Sequence, residues 1–105
     1  MQYANGYPVS FHEVQKLAHI NNIQIRTGCF CNLGGCQTIL HLSGTDNEEN
    51  FRLGRICSHG DDEHVIPVDV INHKNTGACR ISFGYSNTIS DVKFFIQFLK
   101  SNFLN

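Results

Sequence analysis

The sequence predicts an α+β fold in which helices cover a small sheet. Three observations carry that reading: two capped helix starts near opposite ends of the chain, two alternating strand patterns far apart in sequence, and a glycine- and cysteine-rich turn after the first of them. Ser10-Phe11-His12-Glu13 has the form of a capping box, with a hydroxyl to take an orphan amide and a carboxylate to answer the cap. Phe11, Val14, Leu17 and Ala18 then recur at helical spacing, and Asn21-Asn22 favour a turn. Ile23-Gln24-Ile25-Arg26 alternates apolar and polar, as a short strand does.

Cys36 to Leu42 suits a short helix. Thr45 to Ile56 suits a weaker one, carried by Phe51, Leu53 and Ile56, with Asp46, Glu48 and Glu49 where the helix dipole favours acids. From Cys57 to Thr76, Asp61-Asp62-Glu63 and Pro67 mark a surface excursion with one short extended piece. Ala78 to Tyr85 is the strongest strand pattern, with Cys79, Ile81, Phe83 and Tyr85 on one face and Arg80 and Ser82 on the other. Thr88-Ile89-Ser90-Asp91 offers a second capping box. The helix after it shows Val92, Phe95, Ile96 and Leu99 on one face, with Phe94 and Phe98 off it.

At 105 residues and 41% hydrophobic content, residues 1–105 suit a single small domain. The net charge of −1, from 8 basic and 9 acidic residues, gives no electrostatic case for nucleic acid or a membrane surface. No run approaches the roughly 20 apolar residues of a spanning helix, and the first residues lack a signal pattern, so a cytoplasmic location is the expectation. The eight phenylalanines are expected mainly in core and edge packing, with a partner-docking patch as the alternative.

Chemistry concentrates at Arg26-Thr27-Gly28-Cys29-Phe30-Cys31-Asn32-Leu33-Gly34-Gly35-Cys36, where three thiols share a glycine-flanked turn. Such a turn leaves a thiol accessible, and the thiolate is the nucleophile. The competing reading is that these cysteines are small buried hydrophobes. Five cysteines without a secretory signal, Cys29 and Cys31 being too close to bridge each other, suggest reduced thiols rather than a disulfide framework. Zinc held by this cluster with Cys57 and His59 is a further candidate, disfavoured because the tight pair has one intervening residue and no matching second pair. Arg80, beside Ser82 on a strand, could clamp a carboxylate through two parallel bonds, or pair with Asp61, Asp62 or Asp91 as an ordinary surface arginine.

Ile25 to Gln37 resembles the cysteine segment of molybdenum cofactor sulfurases, relatives of the cysteine desulfurases with the class V aminotransferase fold. Thr76-Gly77-Ala78-Cys79-Arg80-Ile81-Ser82-Phe83-Gly84-Tyr85, with Thr88 and Asp91, resembles the family's arginine strand and following helix. The resemblance implies that the chain is the small C-terminal subdomain of the desulfurase half. It places the sulfur-accepting thiolate on Cys31, by the Arg-Thr-Gly-x-x-Cys pattern at Arg26 to Cys31, and the substrate-carboxylate arginine on Arg80. It further implies pyridoxal phosphate on a lysine of a large domain, L-cysteine as sulfur donor, alanine as product, the molybdenum cofactor as acceptor, and dimerisation through the large domain.

Leu33-Gly34-Gly35 replaces the family's proline-glycine-alanine, which points to a looser turn, and Ser86-Asn87-Thr88 replaces methionine-serine-threonine. No segment resembles the cofactor-binding core, since Lys16, Lys74, Lys93 and Lys100 lie in unsuitable contexts. The expectation is therefore a fragment, inactive alone. The alternatives are a desulfurase piece serving another sulfur acceptor and a degenerate docking or dimerisation module.

Overall fold

Helix α1 (Phe11–Ile20) starts at the predicted cap, in a computed structural model that describes residues 1–53 and 68–104. Ser10 Oγ accepts from the Glu13 amide, but the capping box is only half made. The Ser10 hydroxyl donates to Asp69, and the Glu13 carboxylate receives the Tyr3 hydroxyl at 2.6 Å. That bond favours the neutral phenol, and with burial and the carboxylate's charge it pushes the Tyr3 pKa up to about 12.

Strand β1 (Arg26–Gly28) pairs antiparallel with a strand at Ala78–Arg80, in the register Arg26↔Arg80, Thr27↔Cys79 and Gly28↔Ala78. Between them come helices α2 (Leu33–Leu40) and α3 (Gly44–Leu53) and the hairpin strands β2 (Val70–Ile71) and β3 (Lys74–Asn75), making Ala78–Arg80 strand β4. Helix α4 (Ile89–Phe103) closes the described chain and carries a complete Thr88–Asp91 capping box, as the sequence predicts. The described residues thus form an α+β fold of four helices and two two-stranded sheets.

Gly77 sets how closely the β1–β4 pair approaches α1. A Cβ there would lie 2.9 Å from the Phe11 ring and 3.1 Å from the Gly28 Cα. The core joins Val9, Val14, Ala18, Phe98 and Phe103, with Leu17, Ile23, Ile25, Phe95 and Leu99 packed against it. Ile23 and Ile25 turn inward as their alternation predicts, although the ladder begins only at Arg26.

Several expectations are corrected. The strong strand pattern of 78–85 pairs only as far as Arg80, because its partner strand begins at Arg26. Beyond that point the backbone has no ladder to hold it, and Ile81, Phe83 and Tyr85 are exposed instead of sharing a core face with Cys79. On α4, Phe98 is buried and Ile96 is exposed, so the core stripe runs Phe95, Phe98, Leu99 and Phe103. The second helix starts at Leu33, three residues earlier than expected, because Asn32 caps it by accepting from the Gly35 amide. The excursion before Thr76 holds a two-stranded hairpin. The expected end of the third helix at Ile56, with Cys57, His59, Asp61, Asp62, Glu63 and Pro67, lies outside the described residues.

Candidate functional site

The cysteine turn is built from backbone outward. Gly28 takes φ +108°, a conformation L side chains rarely adopt, and turns the chain out of β1. Cys29, Phe30, Cys31 and Asn32 then form a tight turn closed by the Asn32 amide donating to the Cys29 carbonyl at 2.9 Å. Both central residues are left-handed, Phe30 at φ 55° and Cys31 at φ 59°. Successive positive φ values are those of a type I′ turn, usually occupied by glycine, asparagine or aspartate. A side chain there costs on the order of 1–2 kcal/mol per residue, so this turn holds Phe30 and Cys31 against their backbone preference.

The result is a displayed thiol. Cys31 is exposed and unbridged. Cys29 and Cys36 are joined as a disulfide with their Cα atoms 5.5 Å apart, which corrects the expectation of reduced thiols. Cys29 and Cys31 are too close to bridge each other; the pair that forms is Cys29 with Cys36, because the tight turn and the immediate start of α2 fold the chain back within bridging distance. The early helix also replaces the looser turn expected of Leu33-Gly34-Gly35. Both bridge sulfurs lie near the Thr76 carbonyl oxygen, at 3.2 Å for Cys29 and 3.8 Å for Cys36. Among the described residues no group of three His, Cys, Asp or Glu side chains is placed to hold a metal ion, and Cys57 and His59 lie outside them.

Cys79 is the other free thiol among the described residues. Although part of the residue is solvent-accessible, its sulfur turns in toward the start of α1, 3.8 Å from the Phe11 carbonyl oxygen, and this burial pushes the thiol pKa up. Proximity to the N-terminal amine opposes the shift more weakly.

Arg80 is exposed on the opposite side of the strand from that sulfur, as alternation predicts. Its guanidinium carbon sits 4.8 Å from the centroid of the Phe30 ring, within cation–π range. The ring that occupies one strained position thereby supports the arginine, and the next residue is the exposed thiol. Register also sets Arg26 directly across from Arg80. Like charges so placed disfavour the sheet, and among the described residues neither arginine has an ion-pair partner. An exposed pair of guanidiniums of this kind suits an anion.

Pyridoxal phosphate needs a lysine to hold its aldehyde, and the lysines of this chain do not fit. Lys74 gives its Nζ to Asp46 at 2.8 Å, while Lys16, Lys93 and Lys100 are exposed on α1 and α4.

Asp46 lies in the first turn of α3, as the sequence predicts, but it is also a hub of hydrogen bonds that the sequence reading does not foresee. Buried on α3, it accepts from the Ser43 amide and hydroxyl, from Asn72 Nδ2 at 2.8 Å and from Lys74 Nζ at 2.8 Å. These donors, Asn72 foremost, hold its carboxyl well below the usual carboxylate range. The signal was the two-residue Asn72-His73 link between short strands, which marks a hairpin. A groove of about 640 Å³ lies between the 22–25 segment, the 81–83 segment and α4, and Phe83 and Phe94 stand exposed beside it. No helix among the described residues is long and apolar enough to cross a membrane.

Comparison with known proteins finds molybdenum cofactor sulfurases from plants and animals. The chain is 50% identical over 99 residues to molybdenum cofactor sulfurase of Arabidopsis thaliana and 46% identical over 101 residues to that of Bombyx mori, covering 94% and 96% of this chain. It is 40% identical over 94 residues to the Homo sapiens protein of the same name, covering 90% of this chain. The match occupies 11%, 11% and 10% of those relatives, so the chain spans about a tenth of their length. No family model matches the chain, and no solved structure matches it.

Proposed function

We propose that this chain, which belongs to the molybdenum cofactor sulfurase family through the one segment it spans, supplies that enzyme's sulfur-accepting thiol and its substrate-carboxylate arginine. The observation that carries the reading is the tight left-handed turn, which leaves Cys31 exposed and unbridged while its neighbouring cysteines are joined and Cys79 turns inward.

In this reading the Cys31 thiolate attacks the sulfur of L-cysteine. A sulfur–sulfur bond forms as the carbon–sulfur bond breaks, and the carbon keeps the electron pair and takes a proton to leave as alanine. Arg80 receives the substrate carboxylate through parallel N–H donors, with the Phe30 ring restraining the guanidinium. The stabilisation of that carbon belongs to a pyridoxal-bearing large domain outside this chain, in keeping with lysines that do not suit the role. The persulfide sulfur then passes to the molybdenum cofactor. The chain's setting is cytoplasmic, and alone it does not turn over L-cysteine.

The test is alanine release from L-cysteine by the assembled enzyme carrying Cys31→Ala or Arg80→Ala. Loss of the nucleophile lowers turnover by about a thousand-fold or more. Loss of the charged clamp raises KM for L-cysteine by about 10- to 100-fold. Unchanged turnover and KM would remove both assignments.

A further inference from the structure

The Cys29–Cys36 pair has no part in the function proposed above, yet it brackets the exposed thiol. Cys29 begins the tight turn whose third residue is Cys31, and Cys36 lies on the first turns of α2, its Cα 5.5 Å from that of Cys29. Both sulfurs stand near one acceptor, the Thr76 carbonyl oxygen, at 3.2 and 3.8 Å, an oxygen that either could bond as a thiol. Cys79 has a different neighbour, its sulfur standing 3.8 Å from the Phe11 carbonyl oxygen.

We propose that Cys29 and Cys36, when reduced, are an internal resolving couple for a sulfane sulfur held on Cys31, releasing it as sulfide and finishing as the disulfide present in the structure. The inference rests on the reading of Cys31 as sulfur acceptor. The thiolate of one partner attacks the outer sulfur of the Cys31 persulfide; the Cys31 sulfur leaves as thiolate, and the sulfane sulfur is now on the partner. The second thiolate attacks the inner sulfur of that new persulfide, and hydrosulfide leaves as the Cys29–Cys36 bond forms. The sulfane sulfur gains two electrons, the two thiols lose two, and a thiol reductant restores the pair for another round. The segment thereby gains a second activity, discharge of sulfur that has not been passed to an acceptor.

The experiment uses the full 105-residue chain, reduced and freed of reductant, then given a brief exposure to inorganic polysulfide. Sulfide release, intact mass and disulfide mapping are followed together in wild type, Cys29→Ser, Cys36→Ser and the double variant. Wild type is expected to gain one sulfur on Cys31 and lose it as sulfide while the Cys29–Cys36 bond appears in equal amount. The double variant is expected to keep the Cys31 persulfide about ten-fold longer or more, with no internal escape route.

Cys31→Ser reports direct oxidation of the pair by polysulfide, and the disulfide is expected to form more slowly there than in wild type. A double variant that loads on Cys31 but loses sulfur at the wild-type rate overturns this inference alone. A double variant that never loads Cys31 overturns the acceptor reading beneath it. Mapping of the new bond in wild type requires no substitution, so a poorly folding variant leaves the test intact; a bond formed without matching sulfide release also overturns the proposal.

Discussion

Two turns in this chain have the same backbone signature and opposite uses. At Ile71-Asn72-His73-Lys74 the central residues take φ 48° and 61°; at Cys29-Phe30-Cys31-Asn32 they take 55° and 59°. The first joins β2 to β3 and places asparagine, the residue most tolerant of that conformation after glycine, at its leading position. Its side chain is committed to structure, with Nδ2 donating to Asp46 at 2.8 Å and to Glu49 at 3.0 Å. The second places phenylalanine and cysteine where neither is at ease, and its leading side chain supports an exposed arginine rather than the core. Comparable geometry therefore serves docking in one place and display of a thiol in the other. The residue chosen, more than the turn type, separates the two.

The comparison breaks most visibly at Asn72. Asn72→Ala removes the donor to both carboxylates and puts a less tolerant residue at φ 48°, so unfolding free energy is expected to fall by about 2–3 kcal/mol in urea denaturation. A loss below half a unit would mean that the hairpin does not anchor α3.

Acid titration follows from the same hub. The folded-state pKa of Asp46 lies below its ordinary value of 3.8, so its stabilising contribution is complete above that pH and is lost as pH falls through the lower folded value. Asp91, held down chiefly by the Thr88 amide, acts with the same sign. Asp46→Asn is expected to lower stability at neutral pH and to flatten the acid limb of the stability curve. An unaltered acid limb would move the titrating group elsewhere.

How much of this was legible in the sequence divides along the same line. The starts of α1 and α4, the inward Ile23 and Ile25, and the outward Arg80 agree with the sequence reading because capping and alternation are local rules. The extent of the second strand was misread because pairing depends on a partner whose length the pattern of 78–85 does not encode. The sequence pattern puts Ile96 on the core face of α4 and Phe98 off it, whereas Phe98 is the residue buried with Val14 and Ala18, because helical spacing alone does not say which side of α4 meets α1. The Cys29–Cys36 bridge was missed because it depends on a turn conformation that Phe30 and Cys31 disfavour, so spacing gave no warning.

Smaller effects sharpen the contrast at the cysteine turn. With iodoacetamide at about pH 8, Cys31 is expected to react roughly ten-fold faster than Cys79, whose burial keeps it protonated. Equal rates would remove the distinction between a displayed and a sheltered thiol. Cys31→Gly is expected to raise stability by about 0.5–1 kcal/mol, the relief of left-handed strain being partly offset by a freer unfolded chain. The sign is opposite to that of Asn72→Ala. A destabilising Cys31→Gly would mean that the thiol side chain supports the fold, against the comparison drawn above.

The central claim is that Cys31 is the sulfur acceptor, and site-resolved mass spectrometry tests it most directly. The assembled enzyme is given L-cysteine labelled in its sulfur, quenched within one turnover and alkylated, and the added sulfur is located by peptide mapping. Label on Cys31, lost in Cys31→Ala without moving to Cys29, Cys36 or Cys79, is the result this account requires. Label that settles on Cys79 in the wild type, or persists at equal yield in Cys31→Ala, contradicts it.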